Sequence, residues 1–399
     1  MRYTKQILVL LIIAVVALLT GCGQQSNCSG ISFGNGSGGG SSSGGGGVNS
    51  GGSVCGPGSN NGGSFNDLFF YHGSNGANNS INTASVTATT FAVLPGIATN
   101  VGQSIVGSVI IVNKKFLYLP DQNGSGGVMG FTINHSSGAL TAIAGSPFAV
   151  APSQITTLAA DPDANGGRYL FAADFSSGDF VVFTIDATTG VLTPVSGSPF
   201  SSAATPSRLK VDGTGHYLYA SEGTSTGHIF GFLIDPNSGA LSPIAGSPFA
   251  ALANTIDVDS NGQFLLAVAS GGAQVDVIPI EQGTGSLLLN SASSFPTAAS
   301  VDGAVFSPSG QFVYAFGGKN PLQGFQFNGG TLAELNGSPY SSLPFLTDCQ
   351  FDQAGTHLFG IRIPSSGVGV YVVDPTTGAV TAPLPDPGIV ASPYFAPTN

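Results

Sequence analysis

Between residues 207 and 244 the chain alternates short apolar runs with clusters of turn residues. Ser207 to Val211 is followed by Asp212-Gly213-Thr214-Gly215, then His216 to Ser221, then a loop to His228. Ile229 to Ile234 comes next, and after Asp235-Pro236-Asn237-Ser238-Gly239 the run Leu241 to Ile244 closes the set. Runs of this length, bounded by Gly, Pro, Asn and Asp, are strand signals, and no helical period competes with them. In the turn Asp235 to Gly239, Pro fixes φ and Gly takes the left-handed position. The same pattern returns along the chain. Gly239-Ala240-Leu241-Ser242-Pro243-Ile244-Ala245-Gly246-Ser247-Pro248-Phe249 recurs almost unchanged at 190–200 and 138–148, and in reduced form as Gly337-Ser338-Pro339-Tyr340. Ser146 to Ser198 is 52 residues and Ser198 to Ser247 is 49. A period of that size means one supersecondary unit repeated around an axis or along a stack.

Four antiparallel strands in about 48 residues make a β-propeller blade. Six full units begin near Val106, Gln154, Ser207, Asn254, Asp302 and Thr347. Phe65 to Pro95 supplies only the last three strands of a unit, and Ile389 to Pro397 only a first strand. Joined, they make a seventh blade from both ends of the chain, which protects the sheet edges and locks the ring. The expectation is an all-β, seven-bladed propeller of four-stranded antiparallel blades, closed by its N- and C-terminal strands and spanning residues 64–399. The Phe of each Gly-Ser-Pro-Phe is expected to wedge between neighbouring blades.

Tyr217-Leu218-Tyr219-Ala220, the run Phe232 to Leu241 and the Gly-Ser-Pro-Phe ending together resemble the repeat of the lactonase family of seven-bladed propellers, which includes the propeller-type 6-phosphogluconolactonases. The resemblance covers roughly residues 65–399. It implies that fold and, for catalytic members, hydrolysis of a lactone ring without a cofactor. WD40 propellers fit poorly, because the chain has no Trp.

The N-terminus carries a different message. Arg2 and Lys5 precede an apolar run from Ile7 to Leu19, the pattern of a secretory leader over residues 1–22. Leu19-Thr20-Gly21-Cys22 resembles the lipobox of bacterial lipoproteins, in which the cysteine is lipidated, and Gly23 lacks the usual inner-membrane retention signal. That resemblance implies a lipid-anchored protein of the bacterial cell envelope, at the outer membrane or cell surface. Residues 23–63 are dominated by Gly, Ser and Asn and hold too few apolar groups to offset ordering entropy, so they read as a flexible tether. Within it, Cys28 and Cys55 either pair in an oxidising compartment or stay as two thiols. Cys349, in an apolar strand, reads as core packing.

Charged residues make up only 7% of the 399, against roughly 25% in ordinary soluble proteins. Net charge is −11, and removal of the leader leaves 20 acids against 7 bases. Nucleic acid is excluded as a partner, since phosphate binding needs clustered Lys or Arg. The expected partner is a small molecule, carbohydrate or protein at one propeller face, with the membrane reached only through the lipid; a monomer is expected.

Aligning the units on their second strand isolates one position, which holds His72, Asp121, Asp174, Glu222, Ala269, Gly317 and Arg362 in chain order. With the ring closed, Arg362, His72, Asp121, Asp174 and Glu222 occupy five adjacent blades. Lactone hydrolysis needs a base to activate water and positive groups to stabilise the oxyanion. His72 or Glu222 suits the base, Arg362 or Arg208 the electrostatic partner, and Asp121 and Asp174 would bind ligand. The alternative is local: short polar residues there cap their own loops. Catalytic relatives tend to show Pro-Arg-His at this kind of site and Asn-Glu after the second strand. Here the order is Pro206-Ser207-Arg208, and Glu222-Gly223 replaces the pair. A one-step slip turns a side chain to the opposite face.

Two weaker signals complete the reading. Asp161-Pro162-Asp163-Ala164-Asn165-Gly166 resembles half a calcium loop but has Ala172 at the twelfth position, so it reads as a turn, and no metal site is expected. His135, His216 and His357 lie in or beside turns and read as solvated.

Overall fold

In the computed structural model the described residues run from 68 to 397, apart from 74–79, 87–89, 101–108, 122–126, 150–154, 176, 203–205, 224–226, 270, 319, 364–366 and 386–394. The leader, Cys22, the tether and its Cys28 and Cys55 lie outside them. Among the described residues the strands form seven antiparallel sheets, and the only helical pieces are 3-10 turns at Asp163–Asn165 and Leu289–Ser291. Numbering the sheets as blades in chain order, blade 1 holds Leu68–Gly73, Ser80–Val86 and Phe91–Asn100. Blade 2 holds Ile110–Val112, Phe116–Asp121, Gly127–Ile133 and Leu140–Ala142, and blade 3 holds Ile155–Ala160, Tyr169–Asp174, Asp179–Ile185 and Leu192–Pro194. Blade 4 comprises Pro206–Val211, Tyr217–Glu222, Ile229–Ile234 and Leu241–Pro243; blade 5 comprises Thr255–Val258, Phe264–Val268, Gln274–Pro279 and Ser293–Pro296. Gly303–Phe306, Phe312–Gly317, Asn320–Asn328 and Thr331–Glu334 make blade 6, and Phe345–Phe351, His357–Ile363, Val368–Val373 and Val380–Pro383 make blade 7.

The first strand of blade 1 comes from the other end of the chain. Phe395–Pro397 runs antiparallel to Leu68–Gly73, pairing Phe70 with Pro397, Tyr71 with Ala396 and His72 with Phe395. Packing closes the same gap. One apolar cluster joins Phe359, Ile361 and Val370 of blade 7 to Ile81 and Ala84 of blade 1 and Leu117 of blade 2. Five further clusters bridge successive blades from 2 to 7. Each blade is buried on both faces, so its second strand shows no alternation: Phe116–Asp121, Tyr169–Asp174 and Phe312–Gly317 are buried at every residue.

The repeated residues lock neighbours together. The phenols of Tyr118, Tyr219 and Tyr314 each donate at 2.7 Å to the carbonyl of Gly190, Gly285 and Gly378 in the third turn of the next blade. A buried phenol without a partner is costly, so this bond satisfies the tyrosine as well as joining the blades. At Gly190 φ is +74° and an added Cβ would lie 2.5 Å from the Phe116 ring, which explains why only Gly fits there. The Gly-Ser-Pro-Phe ending does more than wedge. Ser146, Ser198, Ser247 and Ser338 accept the N–H of Gly130, Val182, Gly231 and Gly324 on their own third strands at 2.9–3.0 Å. Phe148 and Phe249 then exchange backbone bonds with Val128 and Ile229. Their rings are buried in clusters that span two blades.

A clasp closes the first turn of several blades. Asp212, almost fully buried, accepts the N–H of Thr214, His216 and Tyr217 at 3.1, 2.9 and 2.7 Å. Asp259 and Asp352 repeat the arrangement in blades 5 and 7. Asp212→Ala would leave three backbone donors short of an acceptor. It is expected to lower the unfolding free energy by about 3 kcal/mol, read from the midpoint of a urea denaturation curve. Asp212→Asn, which keeps one acceptor oxygen, should recover about half of that.

Candidate functional site

The aligned position lies, in every blade, within one residue of the same end of the second strand: His72, Asp121, Asp174, Glu222, Ala269, Gly317 and Arg362. The five polar members therefore stand on consecutive blades 7, 1, 2, 3 and 4. Two of the carboxylates are engaged within their own loops. Asp174 is fully buried and accepts the N–H of Ser177 at 3.0 Å. Glu222 accepts the N–H of His228 at 3.2 Å and pairs with its Nδ1 at 3.1 Å. Asp121 is buried opposite Gly127. Arg362 lies against Gly367, where an added Cβ would meet its guanidinium, and the backbone N–H of Arg362 donates to the Gly367 carbonyl. His72 pairs through its backbone register with Asn82 and with Phe395 of the closing strand.

Arg208 belongs elsewhere. The first strands of blades 4 to 7 surround a cavity of about 60 Å³ whose polar lining is Arg208, Lys210, Thr255, Asp257, Asp348 and Gln350. Leu209, Ile256, Val305 and Phe316 supply apolar walls. The slip seen in Pro206-Ser207-Arg208 is absorbed by a bulge: Pro206 pairs with Glu222 while Arg208 pairs with Ser221, so one residue of the first strand goes unmatched. Ser207 is that residue, and its hydroxyl lies 3.1 Å from the Ser221 and Asn254 carbonyls. Blade 7 carries a matching irregularity between Leu346 and Cys349, beside Asp348.

The four charges form two pairs. Lys210 Nζ lies 2.7 Å from Asp257 Oδ1, and Asp257 Oδ2 accepts the Phe306 N–H at 2.8 Å, so this pair ties blades 4, 5 and 6. Arg208 Nη2 lies 3.6 Å from Asp348 Oδ2, which links blade 4 to blade 7. That separation exceeds a hydrogen bond, and Asp348 Oδ2 is buried with no hydrogen-bond partner. Burial pushes the Asp348 carboxyl up to about 6, against the opposing pull of Arg208, the Cys349 N–H and Lys210. Cys349 is buried beside it, and burial raises its thiol well above the usual range.

The calcium-like run is a turn. Asp161 Oδ2 sits 3.8 Å from Arg168 Nε, Asp163 accepts the Asn113 N–H, and Asn165 donates to the Thr214 carbonyl of the next blade. Among the described residues no group of three or more His, Cys, Asp or Glu could hold a metal ion. His135 and His216 are exposed, but His357 corrects the expectation of a solvated ring: its Nδ1 is 2.8 Å from Asp352 Oδ2 and its side chain is 12% exposed. Lys210, Asp257 and Asp348 were not singled out by sequence. The available signal was charge inside apolar first strands of a chain with so few charged residues.

Residues 181–315 match the family model described as Lactonase, 7-bladed beta-propeller. No curated protein matches the chain. A putative 6-phosphogluconolactonase from Bacteroides uniformis is 18% identical with a TM-score of 0.61, over 79% of this chain and 95% of that one. A periplasmic gluconolactonase from Pseudomonas aeruginosa is 18% identical with a TM-score of 0.60, over 84% and 97%. A Lactobacillus plantarum protein is 14% identical with a TM-score of 0.60, over 83% and 99%. The ring of seven antiparallel sheets, six of four strands and one with the short fifth strand Phe200–Ser201, makes this chain a β-propeller, and residues 181–315 are similar to the lactonase family of such propellers.

Proposed function

We propose that this propeller is a binding module displayed on the bacterial cell envelope, held by a lipid on Cys22 and spaced from the membrane by the tether of residues 23–63. Its ligand is a small molecule, carbohydrate or protein, and it works as a monomer. The observation that carries this reading is the engagement of the aligned carboxylates in their own loops, Asp174 by Ser177 and Glu222 by His228. A general base has to be within reach of a substrate water, and these two are occupied in capping. The channel cavity of about 60 Å³ is also far below the roughly 300 Å³ at which pockets for drug-sized ligands begin, so it is too small to enclose a whole sugar lactone ring.

The second reading is a hydrolase that opens a lactone ring. It is favoured by Asp348, whose carboxyl is held near 6 beside the Arg208 guanidinium. That combination offers a base poised near neutral pH and a cation for the oxyanion. 6-Phosphogluconolactone is a cytosolic intermediate, so an envelope protein would act on a different lactone. Purified protein mixed with δ-gluconolactone in a pH-stat is expected to release acid no faster than buffer alone. Turnover that disappears in Asp348→Asn, or in His72→Ala or Arg362→Ala, would overturn the binding reading in favour of the hydrolase.

A further inference from the structure

The channel cavity holds two cations and two carboxylates, so a ligand of either charge meets a like charge there. Lys210 and Asp257 use each other, and Asp257 Oδ2 is taken by the Phe306 N–H. The Arg208–Asp348 pair is different, because its facing atoms stand 3.6 Å apart and Asp348 Oδ2 is buried with no hydrogen bond. A single oxygen placed about 2.8 Å from both would accept from the guanidinium and donate to the carboxylate. A hydroxyl does both through one atom. An amide separates its donor and acceptor on two atoms, an acetate has nothing to donate, and an ammonium has nothing to accept with. Around this pair, Leu209, Ile256, Val305 and Phe316 offer apolar surface for C–H groups, and Gln350 a further polar contact. The cavity has room for roughly four or five water-sized groups, which suits the end of a polyol rather than a sugar ring.

We propose that the cavity between the first strands of blades 4 to 7 binds the uncharged hydroxymethyl end of a polyol, with one hydroxyl bridging Arg208 and Asp348. The inference rests on the binding-module reading and assigns it a ligand class and a place. Glycerol is the probe. Ligand-detected saturation-transfer NMR on the purified full chain in detergent is expected to show a saturable, millimolar glycerol signal. Ethylene glycol should displace it, whereas acetate, ethylammonium and acetamide should not. Asp348→Asn should weaken glycerol at least tenfold. Because that variant leaves Arg208 facing a neutral side chain, Val305→Phe serves as a second variant that fills the cavity and leaves every charge in place; it too should weaken glycerol at least tenfold. Absence of a saturable glycerol signal overturns the inference. So does a signal unchanged in both variants, or displacement by acetate, ethylammonium or acetamide. Failure here with intact binding of an envelope polysaccharide or protein would leave the binding-module reading standing. Lactone turnover alongside normal glycerol binding would remove that reading and leave the polyol site.

Discussion

Removing residues 386–399 is expected to open the ring. The truncated chain should melt well below the intact protein and associate into dimers or larger species. Phe395–Pro397 is the first strand of blade 1, and its pairing with Phe70, Tyr71 and His72 is the backbone link between the two ends of the chain. Loss of that short ladder removes a few hydrogen bonds worth about 1 kcal/mol each. The larger effect is on packing, because blade 1 fills the space between blades 7 and 2 in one shared cluster with Ile361, Ala84 and Leu117. A blade short of its inner strand presents an unpaired edge to solvent, and such edges recruit other chains. The combined loss should reach about 3–5 kcal/mol. Thermal melting and size-exclusion chromatography measure the two consequences. A truncated protein that stays monomeric and melts at the parent temperature would mean that the terminal strand contributes no closure.

Closure was legible before the structure because the repeat leaves an arithmetic remainder: three strands at one end and one at the other. The internal blades were legible for a similar reason, since Gly-Ser-Pro-Phe and the Asp-Pro-Asn-Ser-Gly turn fix their own local backbone. What Ser146, Ser198, Ser247 and Ser338 bond to was not, because each partner N–H lies on a strand 14–16 residues earlier and carries no side-chain signature. The aligned position was found by counting from the second strand. Its use depends on whatever side chain the following loop returns, as His228 does for Glu222. The channel pairs were out of reach altogether. Arg208 and Asp348 are 140 residues apart in sequence and meet only because blades 4 and 7 face one another across the ring. Even the facing of Arg208 depended on a bulge at Ser207, which a strict two-residue alternation cannot anticipate.

That cross-channel pair yields the second large effect. Arg208→Leu leaves the Asp348 carboxylate buried without its guanidinium, and Asp348→Leu leaves the guanidinium in the same position. Each single replacement is expected to cost about 3–5 kcal/mol, the usual penalty for stranding one member of a buried pair. The double variant Arg208→Met with Asp348→Leu removes both charges and supplies apolar volume, so it should return to within about 1 kcal/mol of the parent. Urea denaturation of the four proteins gives the coupling directly. Singles that each cost less than 1 kcal/mol would mean that solvent in the channel screens the pair. The pH dependence supplies an independent check with a definite sign. The folded carboxyl at about 6 lies above its ordinary value of 3.8, so the folded state holds the proton more tightly than the unfolded chain. Asp348 therefore contributes stability that is fully present below pH 3.8 and is lost as pH rises through about 6. The difference amounts to about 3 kcal/mol across that window. In Arg208→Leu the carboxyl loses its main opposing charge and should titrate still higher, which carries the loss of stability to higher pH. In Asp348→Leu and in the double variant this part of the slope should vanish, because no ionisable group remains at the position.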